Sequence, residues 1–213
     1  MNNNYDYSYE WDHRYCYPHS NVLINKLGIE DAEKLRIAER EITSLRIANA
    51  KVNAIQGDFD LLHLRKIHKY IFGDIYEWAG ELRCVNVAKG NLFCNYQFIE
   101  PNAHSLFQKL KKETYLKDAS QDEIPFRLAL YLSEINALHP FREGNGRAQR
   151  LFIEYLAENA GYRVDFSQVT DKQMIEASAA SFLCDYAKMD EIFTAITEPL
   201  SGNNMTQTFH RID

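Results

Sequence analysis

The chain has 213 residues and is 46% apolar, enough for one domain whose core needs no disulfide or structural metal to hold it. Its 24 Lys and Arg stand against 30 Asp and Glu, a formal net charge of -6, which disfavours a purely electrostatic grip on nucleic acid or an anionic membrane. The sequence has no apolar run of about 18 residues and starts polar and aromatic, MNNNYDYSYEWDHRYCYPHS, so it predicts a soluble cytoplasmic protein with neither span nor signal peptide.

Cys16, Cys84, Cys94 and Cys184 form no CxxC pair and read as reduced thiols. With 13 Tyr and 12 Phe but only 9 Gly and 5 Pro, the composition argues against disorder and against a turn-rich β fold; the expected class is all-α. Residues 1–28 carry Tyr5, Tyr7, Tyr9, Trp11, Tyr15 and Tyr17 without helical spacing, which reads as an irregular arm laid on the domain. Leu35, Ala38, Ile42, Leu45, Ala48 and Val52 then recur at steps of three and four, predicting a long amphipathic helix over 30–53 with that stripe buried. Asp58 or Asp60 caps the next helix, in which Leu61, Leu64, Ile67 and Ile71 face inward as far as Phe72. His63 and His68, five apart on it, fall on different faces, so one packed and one exposed histidine are expected rather than a shared metal.

Alternation on either side of Lys89-Gly90-Asn91 predicts a β-hairpin over 84–96. A helix over 102–117, capped by Asn102, precedes a strongly apolar segment that Pro125 opens and His139-Pro140 must end. Helices are further expected over 147–159, stopped by Gly161; from the Thr170–Gln173 capping box to Leu183; and over 186–197. The chain thus divides into an arm and amphipathic helix (1–56), a core domain (57–198) and a mobile tail (199–213).

One loop concentrates the chemistry: His139-Pro140-Phe141-Arg142-Glu143-Gly144-Asn145-Gly146-Arg147-Ala148-Gln149-Arg150. Gly144 and Gly146 allow a close backbone approach, and the helix start behind them adds free N–H groups and a positive dipole end, which together make an anion cradle. Arg147 and Arg150 share a helix face and can reach further phosphate oxygens. Glu143 at the mouth is the usual single carboxylate beside phosphate-bound Mg²⁺, and His139 is a candidate general base. Phe141 pins the loop to the core.

HPFREGNGR followed by Arg150 matches HxFx(D/E)GNGRxxR, the signature of the Fic (filamentation induced by cAMP) family, at every fixed position. IHKYIFGDIYEWAGELR at 67–83 and the hairpin also resemble that family, so the resemblance covers most of the chain. It implies a helical bundle with a short hairpin flap, and AMP transfer from ATP to a hydroxyl of a target protein. His139 would be the base, Glu143 the Mg²⁺ ligand, Gly144, Asn145 and Gly146 the anion hole, and Arg147 and Arg150 the holders of the outer phosphates. The flap, with Val85, Val87, Lys89, Gly90, Leu92 and Phe93, would dock the target by strand addition. Gly146, where the Doc-type kinases of the family have lysine, speaks for nucleotidyl transfer. Thr194 to Glu198 only half matches the family's inhibitory (S/T)xxxE(G/N) helix. The resemblance therefore implies a toxin held by a separate small antitoxin, and its branch suggests a type II topoisomerase B subunit as target. A catalytically silent interaction module and transfer of another nucleotide stay open as alternatives.

Overall fold

A computed structural model describes residues 8–9, 14–89 and 91–200. The described residues form a mostly helical fold, as expected. α1 (Ala32–Val52) starts at Asp31, whose carboxylate accepts from the Lys34 N–H at 2.8 Å, and α2 (Leu61–Phe72) starts at Asp60, which caps His63 N–H at 2.8 Å. Two short strands, β2 (Val87–Lys89) and β3 (Asn91–Leu92), form the hairpin; β1 (Ser8–Tyr9) pairs antiparallel with the outer edge of β2. α3 (Ile99–Lys112), α4 (Ile124–Leu138), α5 (Asn145–Asn159), α6 (Asp171–Ser181) and α7 (Ala187–Ile196) follow.

α4 is the central element, packed by α3, α5, α6 and α7. Ile124, Leu128, Ala129, Leu132 and Ile135 lose nearly all contact with water there, against Leu151, Phe152 and Ile153 of α5 in the same core. Each large side chain buried in this way contributes about 1.5–3 kcal/mol against the chain entropy lost on folding. Its end fixes where the motif loop begins, because Pro140 cannot continue a helix.

Four expectations change. The buried face of α1 runs through Leu35, Thr43 and Ala50, while Leu45, Ala48 and Val52 of the apolar stripe are exposed. The helix turns this way because Glu39 and Thr43 find partners in the core. α3 begins at Ile99 and stops at Lys112, not 117, so Asn102 is no cap; Thr114, Tyr115 and Leu116 have positive φ of 55°, 53° and 64°. That break lets Glu113 accept from the Tyr131 hydroxyl at 2.9 Å while Leu116 enters the core. A second small sheet, β4 (Tyr162–Val164) paired antiparallel with β5 (Thr197–Pro199), was not expected. His63 and His68 are both buried, since other elements cover both faces of α2: His63 stacks on Tyr155, and His68 lies against Phe141.

Of the aromatic arm, Tyr15 is buried edge-on against Trp78, whereas Tyr5, Tyr7 and Trp11 lie outside the described residues, as does the tail from 201. The four cysteines are free thiols. Among the described residues no helix is long and apolar enough to cross a membrane.

Candidate active site

The motif loop is built from the end of α4 outward. His139 caps that helix in the left-handed conformation (φ 45°, ψ 60°), which costs a non-glycine residue about 1–2 kcal/mol, so something must hold it. Arg83 does: its Nε donates to the His139 carbonyl at 2.7 Å and its own N–H to the Pro140 carbonyl at 2.9 Å. The Phe93 ring of the hairpin stacks on the imidazole with centroids 3.8 Å apart. Burial, then the Arg83 charge, pushes His139 down to about 3, while a hydrogen bond from the ring to the Asn136 carbonyl acts the other way. The imidazole is therefore neutral near pH 7.

Phe141 is fully buried and stacks on His68 at 3.9 Å. The Gly80 N–H donates to His68 Nδ1 at 2.9 Å, so the ring proton sits on Nε2, which donates to the Glu143 carbonyl at 2.9 Å. Burial pushes His68 down to about 3, and as a neutral strut it fixes the loop from behind. Asn145 closes the loop on itself: its Oδ1 accepts from Phe141 N–H at 2.8 Å and its Nδ2 donates to Phe141 carbonyl at 2.7 Å. This clamp starts α5 at Asn145, two residues earlier than the spacing predicts. Gly144 has φ 77°, and a Cβ there would lie 2.2 Å from Phe72 Cζ, so only glycine fits.

Glu143 Oε1 accepts from the Gly144 N–H at 2.8 Å and lies 3.8 Å from Arg147 Nη2. Arg147 reaches across to α1: Nη2 donates to Glu39 Oε1 at 2.6 Å and Nη1 to the Thr43 hydroxyl at 3.1 Å, while its guanidinium rests 4.6 Å over the Phe72 ring. The Tyr76 hydroxyl donates to the other oxygen of Glu39. Arg150 has no ion pair among the described residues; burial pulls its guanidinium below its ordinary value, and the Asp171 carboxylate opposes this.

These groups converge on a cavity of about 350 Å³, within the range of small-molecule sites. One side is His139, Glu143, Gly144, Asn145, Gly146, Arg147 and Arg150; Lys89 and Phe93 reach in from the hairpin; α6 closes the far side with Asp171, Met174, Ile175 and Ser178. A larger groove of about 700 Å³ beside Phe59 and Phe107 contains none of the motif residues.

Residues 58–157 match the model of the Fic/DOC family. VbhT of Bartonella schoenbuchensis, named a protein adenylyltransferase, is 43% identical over 169 residues, which cover 79% of this chain and 35% of that protein. A probable protein adenylyltransferase Fic of Salmonella typhimurium is 39% identical over 186 residues, 86% of this chain and 92% of its own length. The chain belongs to the Fic/DOC family. Among solved Fic structures, BepC of Bartonella tribocorum with bound AMPPNP superposes with a TM-score of 0.84 at 29% identity, covering 89% of this chain and 99% of that one. The ADP-bound Fic domain of a Bartonella quintana effector gives 0.84 at 32% identity, over 89% and 97% of the two chains.

In this Fic protein the seven motif residues singled out from the sequence line one cavity. The flap set divides. Lys89 and Phe93 face the cavity and Leu92 is exposed, but Val85 and Val87 are buried in the core, and Gly90 lies outside the described residues. The outer edge of β2 is paired with β1, so the hairpin's own edge without a strand partner among the described residues is that of β3, and the sheet's other edge is β1. Glu198, the half-matching inhibitory residue, lies on β5 and pairs with Arg163 at 3.1 Å rather than with Arg150. Sequence reasoning missed Glu39, Thr43, His68 and Arg83. His68 and Arg83 both lie in the family-like 67–83 stretch, which marked neither, and Glu39 and Thr43 gave no signal.

Proposed function

We propose that this Fic protein transfers AMP from ATP to a hydroxyl side chain of a target protein, with His139 as general base. Relatives that share most of their length with it are named adenylyltransferases, and solved relatives hold AMPPNP or ADP, so an enzyme of the nucleotidyltransferase class is the reading they support. The observation that carries it is the placement of His139 in one cavity with Gly144, Gly146, Arg147 and Arg150.

The target hydroxyl gives its proton to His139 while its oxygen forms a bond to the α-phosphorus; the bond to the β-phosphate oxygen breaks, and pyrophosphate leaves. Arg147 and Arg150 with the first N–H groups of α5 hold the phosphates, and stabilise the charge that builds on them. Among the described residues no cluster of three or more His, Cys, Asp or Glu could hold a metal ion. The Glu143 carboxylate beside the phosphate cradle suits Mg²⁺, which takes one or two carboxylates and otherwise phosphate oxygens and water. When bound, that ion would offset phosphate charge.

The target strand would add to the free edge of β3, with Lys89, Leu92 and Phe93 against it and Val85 and Val87 as the packing behind. Arg150 without an ion pair among the described residues, and Glu198 paired with Arg163, support a toxin held in check in trans, by a small antitoxin whose (S/T)xxxE(G/N) helix brings a glutamate to Arg150. A type II topoisomerase B subunit is the first target to try.

The test incubates the protein with labelled ATP, Mg²⁺ and a bacterial lysate. A labelled protein band that His139→Ala abolishes is expected. No band with the wild type, or an undiminished band with the variant, would refute the activity.

A further inference from the structure

Arg83 leads the fully buried side chains by size, and the chemistry above gives it no part. It has no carboxylate partner among the described residues. Every bond of its guanidinium goes to a main-chain carbonyl: Nε to His139 at 2.7 Å, Nη1 to Val85 at 2.6 Å, and Nη2 to Leu138 at 3.3 Å and, more closely, to Cys94. Beside these, the Arg83 N–H donates to Pro140, and the Cys94 N–H donates to Ala137 at 3.0 Å. A buried cation is costly unless it is fully hydrogen-bonded. Here the acceptors include the last carbonyls of α4, the negative end of its dipole, which offset the charge.

We propose that Arg83 is a positioning residue for adenylyl transfer, locking the left-handed turn that presents His139 and tying that turn to both arms of the hairpin. Val85 leads into the hairpin and Cys94 leads out of it, so one planar fork joins the base to the surface where the target docks. No other side chain offers five donors in a rigid plane; lysine would keep the charge but reach only from a point. The inference rests on His139 as the base. Its second consequence is electrostatic, since after burial the Arg83 charge is the next cause that keeps His139 deprotonated. Lys89 of β2 acts in the same sense, and the other charged groups around the cavity are Glu143, Arg147, Arg150 and Asp171.

The test follows the His139 ring by NMR titration of the full chain, assigned with His139→Ala, alongside transfer kinetics. In Arg83→Gln the His139 pKa is expected to rise from about 3 toward the ordinary 6.5, and the acid limb of the pH–rate profile to rise with it. In Arg83→Lys the pKa stays low, but kcat per folded molecule falls by roughly ten- to a hundredfold with the KM for ATP unchanged. An unshifted His139 in Arg83→Gln, or a wild-type kcat in Arg83→Lys, overturns the proposal. Should Arg83→Gln not fold, the kcat against KM split in Arg83→Lys decides. Because the titration needs no transfer, a shifted His139 in a protein that moves no AMP counts against the activity and not against this placement.

Discussion

The Glu39 carboxylate accepts a 2.6 Å bond from Arg147, and so joins a helix outside the matched family region to the first arginine of the motif. Side-chain exposures of 14% and 25% put the pair in partial shelter from water, where removing one partner leaves the other charge poorly solvated. Glu39→Ala is expected to cost about 1–3 kcal/mol in urea unfolding. It should also raise the KM for ATP several-fold, because Arg147 loses its anchor. Glu39→Gln keeps an acceptor for Arg147 and Tyr76 and should fall between the two.

Stability should depend on pH through the buried histidines. His68 and His139 are both pushed down to about 3 by burial, so between the ordinary 6.5 and about 3 the unfolded chain binds protons that the folded one does not. Folding stability is thus unaffected by these groups above that window and is lost as pH falls through it, by up to about 1.4 kcal/mol per pH unit for each ring. Urea unfolding at a series of pH values shows the slope. His68→Gln should flatten it by one ring's share.

The two loop glycines should respond differently to alanine. At Gly144 a Cβ meets Phe72 at 2.2 Å with the backbone at φ 77°, so Gly144→Ala should lower the midpoint of thermal unfolding and abolish nucleotide binding. At Gly146 the nearest atom is Arg150 Nη1 at 3.2 Å, the end of a flexible side chain. Gly146→Ala should fold normally and show its effect as weaker ATP binding in calorimetry.

Phe93 covers His139 as a stacked ring 3.8 Å away. Phe93→Ala should hydrate the imidazole and lift its pKa toward the ordinary value, seen as faster carbethoxylation of His139 and an upward shift in its NMR titration. The stability cost is expected near 3 kcal/mol, less if the hairpin collapses onto the gap.

Helices with a cap or a terminator written into a few adjacent residues were legible: the Asp60 cap, the capping box of Thr170 and Gln173, the stop before Pro140. The cavity was legible for the same reason, since seven of its residues lie in one twelve-residue loop. What stayed hidden depends on partners far along the chain. Glu39 interrupts the apolar spacing of α1 and reads as a solvent-facing acid until Arg147, 108 residues on, turns it inward. β4 and β5 are three residues each with no alternation to betray them, and they exist because Val164 and Thr197 meet across the end of the bundle. The α6 wall of the cavity combines ordinary helix residues, Met174, Ile175 and Ser178, which nothing local distinguishes from core.

That wall is also held unlike the rest. Of its eleven residues only Ala177 and Ser181 are buried, whereas α4 and α5 sink most of theirs into the core. Amide hydrogens of α6 should therefore exchange through openings that leave the other two helices closed, and saturating nucleotide should slow them. A cross-link that holds α6 against α7 is therefore expected to slow nucleotide exchange while leaving the protection of α4 and α5 unchanged, which stopped-flow release of a fluorescent ATP analogue would read.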